Sequence, residues 1–164
     1  MAFGLNIGRY ARIEKERRFE LARLPPGVDP DFRRLHDRYL IGTRLRLRRV
    51  EDPDGVVLLR KLGQKKPVPG GPASWREMTT IYLDASEYDA LSALPARTSC
   101  KRRYDLVRPE GTWVIDVFEG PKEGLIIAEL ELDSDEALAA AVPLPDTIRE
   151  LTGEAGTSGG DLAT

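Results

Sequence analysis

Residues 13–19 read Ile-Glu-Lys-Glu-Arg-Arg-Phe, and the way this run alternates decides the fold. In an extended chain successive side chains point to opposite faces, so Glu14, Glu16 and Arg18 share one side and Ile13, Lys15, Arg17 and Phe19 the other. Neither side is an ordinary apolar face. The first carries two carboxylates and a cation, which a strand lying on a hydrophobic core would not tolerate.

The same period of two recurs along the chain. It predicts strands at about 11–21, 39–49, 56–62, 78–83, 100–107, 112–118 and 125–132. Turn chemistry separates them: Glu51-Asp52-Pro53-Asp54-Gly55, Pro67-Val68-Pro69-Gly70-Gly71-Pro72, Pro109-Glu110-Gly111 and Glu119-Gly120-Pro121, short connections that favour antiparallel neighbours. Helices are expected at 30–38, at 85–92 after a cap at Asp84, and at 135–142 after Ser134. The small, polar segment 153–164 is expected to be a loosely held tail. Many strands in a small domain bury one face each, and closing them into a barrel also removes the exposed edges.

The bulk numbers bound the function. A chain of 164 residues with 41% hydrophobic and 32% charged residues suits one globular domain with an unusually charged surface or interior. A net charge of −2 and a pI near 5.6 argue against a broad electrostatic grip on nucleic acid, so any basic site is local. The single cysteine, Cys100, excludes an intrachain disulfide framework, and no apolar run reaches the length of a membrane span. A cytoplasmic protein is the simplest expectation. His36 has no companion at metal-ligand spacing, and Cys100 reads as a small buried thiol.

Placed on faces, the strands segregate their charges. Arg44, Arg46 and Arg48 lie opposite Leu45 and Leu47. Asp116 lies between Val114 and Phe118, opposite Trp113, Ile115 and Val117. Glu129 and Glu131 follow Leu125 and Ile127, opposite Ile126, Ala128, Leu130 and Leu132. Two readings are open. In one, these are solvated faces whose cross-strand pairs contribute a few tenths to about 1 kcal/mol each. In the other, the charged faces turn inward. Carboxylates two apart on two strands then need a cation between them, since burying unpaired charge costs several kcal/mol per ion. Such a lumen, with an all-oxygen wall suited to Mg²⁺ or Mn²⁺ and guanidinium forks suited to phosphate, fits a metal-bound polyphosphate.

The chain resembles the CYTH superfamily, the triphosphate tunnel metalloenzymes. Their E-x-E-x-K signature is present as Glu14-Lys15-Glu16-Arg17-Arg18. Further ordered matches are TRLRLRR at 43–49, Lys61 in LLRKL, KRRY at 101–104, WVIDVF at 113–118 and GLIIAELEL at 124–132. The resemblance spans about residues 10–152 of a single domain. It implies a mainly β, α+β architecture: an eight-stranded antiparallel tunnel with a charged interior and a few flanking helices. It places Glu14, Glu16, Asp116, Glu129 and Glu131 on the metal side. Arg44, Arg46, Arg48, Lys61, Lys101 and Arg103 fall on the phosphate side, and Arg18 at the catalytic position.

The implied activity is metal-dependent hydrolysis of inorganic tripolyphosphate or a related organic triphosphate, with Mg²⁺ or Mn²⁺ as cofactor. The alternatives are a non-catalytic triphosphate or polyphosphate binder, an adenylate cyclase or a thiamine triphosphatase. The expected partner is a small triphosphate, whether tripolyphosphate, nucleoside or thiamine triphosphate. No membrane and no specific nucleic acid is expected, and a homodimer is left open. Two departures bear on this. The signature lysine is Arg18, a poor general base because guanidinium stays protonated. The strand expected to carry a further acidic ladder reads REMTTIYL, with Glu77, Met78 and Thr80, so one acidic wall is thinner. The C-terminal segment also lacks the Tyr and Lys residues common there.

Overall fold

The computed structural model describes residues 7–164. Nine strands are present: β1 (Arg12–Leu21), β2 (Arg33–Leu40), β3 (Leu45–Glu51), β4 (Val57–Pro67), β5 (Trp75–Tyr82), β6 (Ala96–Arg108), β7 (Gly111–Glu119), β8 (Ile126–Glu131) and β9 (Thr147–Glu150). Three short helices accompany them: α1 (Ala85–Ser92), α2 (Asp135–Ala140) and α3 (Gly159–Leu162). The order β5-β4-β3-β2-β6-β7-β8-β1 closes through a β1–β5 pairing into an eight-stranded antiparallel barrel, and β9 adds to β1. Strand β1 is the seam. On one edge residues 16–20 pair with β8; on the other, residues 12–15 pair with β5 and 19–21 with β9.

The larger apolar core cluster lies outside the barrel. Phe19, Leu21, Leu106, Trp113, Ile115 and Leu130 form one buried cluster with Leu138, Ala141 and Leu144, so α2 and its following loop cover this face. The outward residues of the opening stretch fasten that cover. Lys15 pairs with Asp135 at 2.9 Å, and Arg17 donates to the carbonyls of Leu138 (3.1 Å) and Ala141 (2.9 Å). A cation at the carbonyl end of a helix satisfies acceptors that the helix itself leaves open. Lys15 and Arg17 are thus clamps on α2, which explains a face that mixes cations with Ile13 and Phe19.

Capping fixes the helix starts that the sequence indicates. Asp84 accepts from the backbone of Glu87, whose side chain answers to the Asp84 backbone, a complete capping box. Ser134 accepts from Ala137.

Three expectations fail. Residues 30–38, expected as helix, contribute instead to β2 (Arg33–Leu40). The expected strand 39–49 is split by a turn at 41–44, where Gly42 takes φ +75° and Thr43 Oγ1 donates to Leu40 O at 2.9 Å. The expected strand 56–62 runs on to Pro67, because Gly63-Gln64-Lys65-Lys66 has loop-like composition but pairs fully with β5.

The tail expected to be loosely held also folds back onto the barrel. Leu151 and Leu162 pack on Phe118 and Ile127. Thr164 and Thr98 exchange two backbone hydrogen bonds at 2.7 and 3.0 Å. A Cβ on Gly159 would collide with the Tyr39 hydroxyl, so that position requires glycine for close approach. Gly153, Glu154 and residues 158–161 line the cavity of the barrel.

Candidate functional site

The barrel encloses a cavity of about 1100 Å³. Strand register decides what it contains, because residues directly opposite in antiparallel pairs share a face. Glu16 stands opposite Glu131, and Arg18 opposite Glu129. Arg103 faces Asp116, Arg48 faces both Asp37 and Lys61, and Arg46 faces Gly63. These inward positions make two unlike walls.

The acidic wall is Glu14, Glu16, Glu129 and Glu131. Like charges opposite one another repel, and here cations are interleaved. Lys65 Nζ lies 2.6 Å from Glu16 and 3.2 Å from Glu14. Arg12 reaches Glu14 at 2.7 Å and Glu131 at 3.5 Å, while Arg18 holds Glu129 at 3.1 Å. Burial and then Asp116 work to raise the Glu129 carboxyl, but Arg103, Lys65 and Arg18 together bring it down to about 2. Glu131 is pushed up, first by burial and then by Glu14.

The basic wall is largely self-neutralised. Asp37 grips Arg48 with two bonds of 2.6 and 2.7 Å. Asp116, 1% exposed, binds Arg103 at 2.7 and 2.8 Å and Lys101 at 2.5 Å. Both carboxyls are held well below the usual range. Burial opposes this, but the charges of Arg48 on Asp37, and of Arg103 and then Lys101 on Asp116, outweigh it.

What remains is a group of cations without full partners. The Nε of Arg46 is buried with no hydrogen-bond acceptor, and its nearest carboxylate oxygen, on Asp37, is 4.0 Å away. Among the described residues Lys61 makes no ion pair and Arg44, exposed, makes none. Burial first, then the charges of Arg48, Arg46 and Arg103, lower the Lys61 ammonium to about 8. That surplus of positive charge in the lumen is what a polyanion would relieve.

A pH effect follows. A bound anion favours protonated Lys61, so affinity for tripolyphosphate should weaken above pH 8, by up to about tenfold per pH unit for one coupled proton. Arginine stays charged, so Lys61→Arg should remove that component from a calorimetric pH series while leaving the titration of the anion itself. Free-state stability runs the other way. Between about 8 and the unperturbed lysine range the unfolded chain binds more protons, so Lys61 makes the folded state gain stability as pH rises there.

All twelve residues expected at the site line this one cavity: Arg18; Arg44, Arg46, Arg48, Lys61, Lys101 and Arg103; and Glu14, Glu16, Asp116, Glu129 and Glu131. Arg44 belongs to the turn before β3 rather than to the strand. Glu77 of REMTTIYL faces outward, bound to Lys66 at 3.3 Å and the Gly8 amide at 3.0 Å, so β5 gives the lumen Arg76, Met78, Thr80 and Tyr82 and no carboxylate. His36 and Cys100 lie off the lumen. His36 pairs with Glu51, and burial followed by the Glu119 carboxylate pushes the Cys100 thiol up to about 12. Sequence reasoning missed Asp37, hidden in the expected helix, and Lys65, beyond the expected end of β4. Parity could have found Lys65, which stands four residues after Lys61 on the same face.

The CYTH resemblance implies a divalent cation. The carboxylate oxygens are suitable donors for Mg²⁺ or Mn²⁺, but their arrangement is not. Among the described residues no three carboxylate, imidazole or thiol groups converge on one point. Lys65 lies between Glu14 and Glu16, and Asp116 is saturated by Lys101 and Arg103. As arranged, the wall does not form a resident metal site.

No protein-family model matches the chain, and no curated protein does. Solved structures do. Two crystal structures of NE1496, one described as a hypothetical protein and one as an inorganic triphosphatase, align with TM-scores of 0.59. They are 25% and 23% identical, covering 92% of this chain and 97% and 93% of theirs. A Bacillus halodurans protein, bh2851, provisionally assigned as an adenylate cyclase, aligns at TM-score 0.52 and 18% identity over 79% of this chain and 86% of its own. No described helix is long and apolar enough to cross a membrane. The closed antiparallel barrel with its inward charges is a fold that the chain shares with these structures, and it is the architecture that the CYTH resemblance implies.

Proposed function

We propose that the lumen binds a small triphosphate and hydrolyses one of its phosphoanhydride bonds, with inorganic tripolyphosphate as the substrate. The observation that carries this is the under-compensated cation group of Arg46 and Lys61 beside the carboxylate-bound Arg48, Lys101 and Arg103, inside the barrel's cavity. Guanidinium forks suit phosphate oxygens in pairs, and the lysines add point charge without geometric demand. Phosphoryl transfer needs positioning and charge neutralisation more than covalent chemistry. Arg46 and Arg103 would hold the phosphate oxygens. Arg18, tethered to Glu129, would orient the reacting end without accepting a proton. Mg²⁺ or Mn²⁺ is proposed to arrive on the oxygens of the triphosphate, as part of the substrate. A nucleoside or thiamine triphosphate is the alternative substrate. A cytoplasmic setting is proposed from the sequence, with its lone thiol.

The test is phosphate release by the purified protein supplied with tripolyphosphate and either metal. Release saturating with substrate is expected, and a flat trace across tripolyphosphate, nucleoside and thiamine triphosphates with both metals would overturn hydrolysis.

A second reading, a triphosphate-binding module without turnover, is favoured by one observation. The side chain at the signature position is a guanidinium already paired with a carboxylate at 3.1 Å, and it cannot act as a base. Calorimetric binding without phosphate release, together with turnover gained by Arg18→Lys, would select it.

A further inference from the structure

We infer that Lys65 is the resident counter-cation of the acidic wall, and that a divalent ion reaches Glu14 and Glu16 only by displacing it. In its reference to a metal this rests on the triphosphate reading above. Lys65 lies on β4, two strands from β1, with Met78 of β5 between: Met78 is opposite Lys65 on one side and Arg12 on the other. Its ammonium therefore crosses an apolar side chain to sit 2.6 Å from Glu16 and 3.2 Å from Glu14. That is where a hard dication shared by two carboxylates would lie.

Charge explains why something must be there. Glu14 and Glu16 are buried, and a third carboxylate, Glu131, stands directly opposite Glu16. Glu129 has Arg18 and Arg103, but Glu14 pairs only with Arg12 and Lys65, and Glu16 only with Lys65. Without Lys65 two buried carboxylates would be left with Arg12 alone, an arrangement that would recruit a dication.

Displacement is feasible because the two sides differ in exposure. The Lys65 side chain is 31% exposed, against 9% for each carboxylate, so the ammonium can leave toward water or toward a bound anion while the carboxylates stay. A triphosphate in the lumen would draw Lys65 toward itself and free the carboxylates. Anion and metal then bind with positive coupling, each raising the affinity for the other.

The test is Mn²⁺ titration, by calorimetry and electron paramagnetic resonance, of protein free of phosphate compounds. Lys65→Met should bind Mn²⁺ at least about tenfold more tightly than wild type, and Lys65→Arg, which keeps a cation, should stay within about threefold of it. Adding Glu16→Gln to Lys65→Met should abolish the gain. Should Lys65→Met fold poorly alone, Mn²⁺ should raise its melting temperature more than it raises that of wild type. Unchanged or weaker Mn²⁺ binding by Lys65→Met, a gain that survives Glu16→Gln, or a poorly folded variant that Mn²⁺ does not stabilise would each overturn the inference. Because no triphosphate is present, this outcome is independent of the phosphate-release assay, and either can fail without the other.

Discussion

Asp116→Ala should lower the folding stability by about 3–5 kcal/mol, the usual penalty for deleting one partner of a buried charge cluster. The size follows from what is left behind. Asp116 is the carboxylate that both Lys101 and Arg103 bond, at 2.5 Å and at 2.7 and 2.8 Å, and of the two only Arg103 keeps a second ion pair, with Glu129 at 3.5 Å. Removing it strands two cations in a lumen that already holds the surplus charge of Arg46 and Lys61. For a chain of this length each kcal/mol corresponds to roughly 2–4 °C in melting temperature, so the fall in a thermal scan should be on the order of 6–20 °C. Tripolyphosphate should restore more of it in the variant than it adds to wild type, since the anion supplies the missing negative charge. The pH dependence gives a second signature. The Asp116 carboxyl is held below its unfolded value despite burial, because Arg103 and then Lys101 outweigh the desolvation. Its contribution is complete above the ordinary aspartate range and is lost as pH falls through and below it. Wild type should therefore lose stability on acidification in a way the variant does not. A variant that melts within about 2 °C of wild type would show that Asp116 is not the counter-charge of the basic wall.

The part of this arrangement legible in the sequence is the part governed by local alternation. Glu14, Glu16 and Arg18 fall on one face wherever the strand lies, as do Arg46 with Arg48 and Glu129 with Glu131, so inward clustering needed only the barrel's closure. The helix starts at Asp84 and Ser134 were legible for the same reason, since a cap is a short-range hydrogen bond. What failed was decided by distant partners. Nothing local in residues 30–38 separates a helical reading from an extended one, and pairing with β3 and β6 settles it. The extension of β4 through Gly63 is tolerated because its inward face meets the flexible end of Met78, where a Cβ would come within 2.9 Å, and no local signal marks that. Both errors hid a charged residue, Asp37 in one and Lys65 in the other. Both hidden residues are counter-charges, so the sequence shows which groups meet a ligand more readily than which groups keep them quiet without one.

That distinction separates Arg46 from its neighbours and makes Arg46→Ala the variant with the largest expected effect on binding. Arg48, Lys101 and Arg103 are committed to Asp37 and Asp116, so truncating any of them confounds affinity with stability. Arg46 has no comparable bond: its Nε is buried without an acceptor and the nearest carboxylate oxygen is 4.0 Å distant. Its charge also helps to hold Lys61 down at about 8, after burial and Arg48. Deleting it should leave the melting temperature unchanged or raise it slightly, because a repulsion disappears and no counter-charge is orphaned. Affinity should move the other way. Losing one charge-assisted contact in a desolvated site costs about 2–3 kcal/mol, which is roughly 30- to 150-fold in the dissociation constant for tripolyphosphate. Arg46→Lys should fall between, since it keeps the charge but loses the planar fork. Calorimetry and a thermal scan on the same samples read both quantities. If Arg46→Ala binds tripolyphosphate within about threefold of wild type, the unpartnered guanidinium is not where the anion docks, and the cation surplus of the lumen serves something other than a triphosphate.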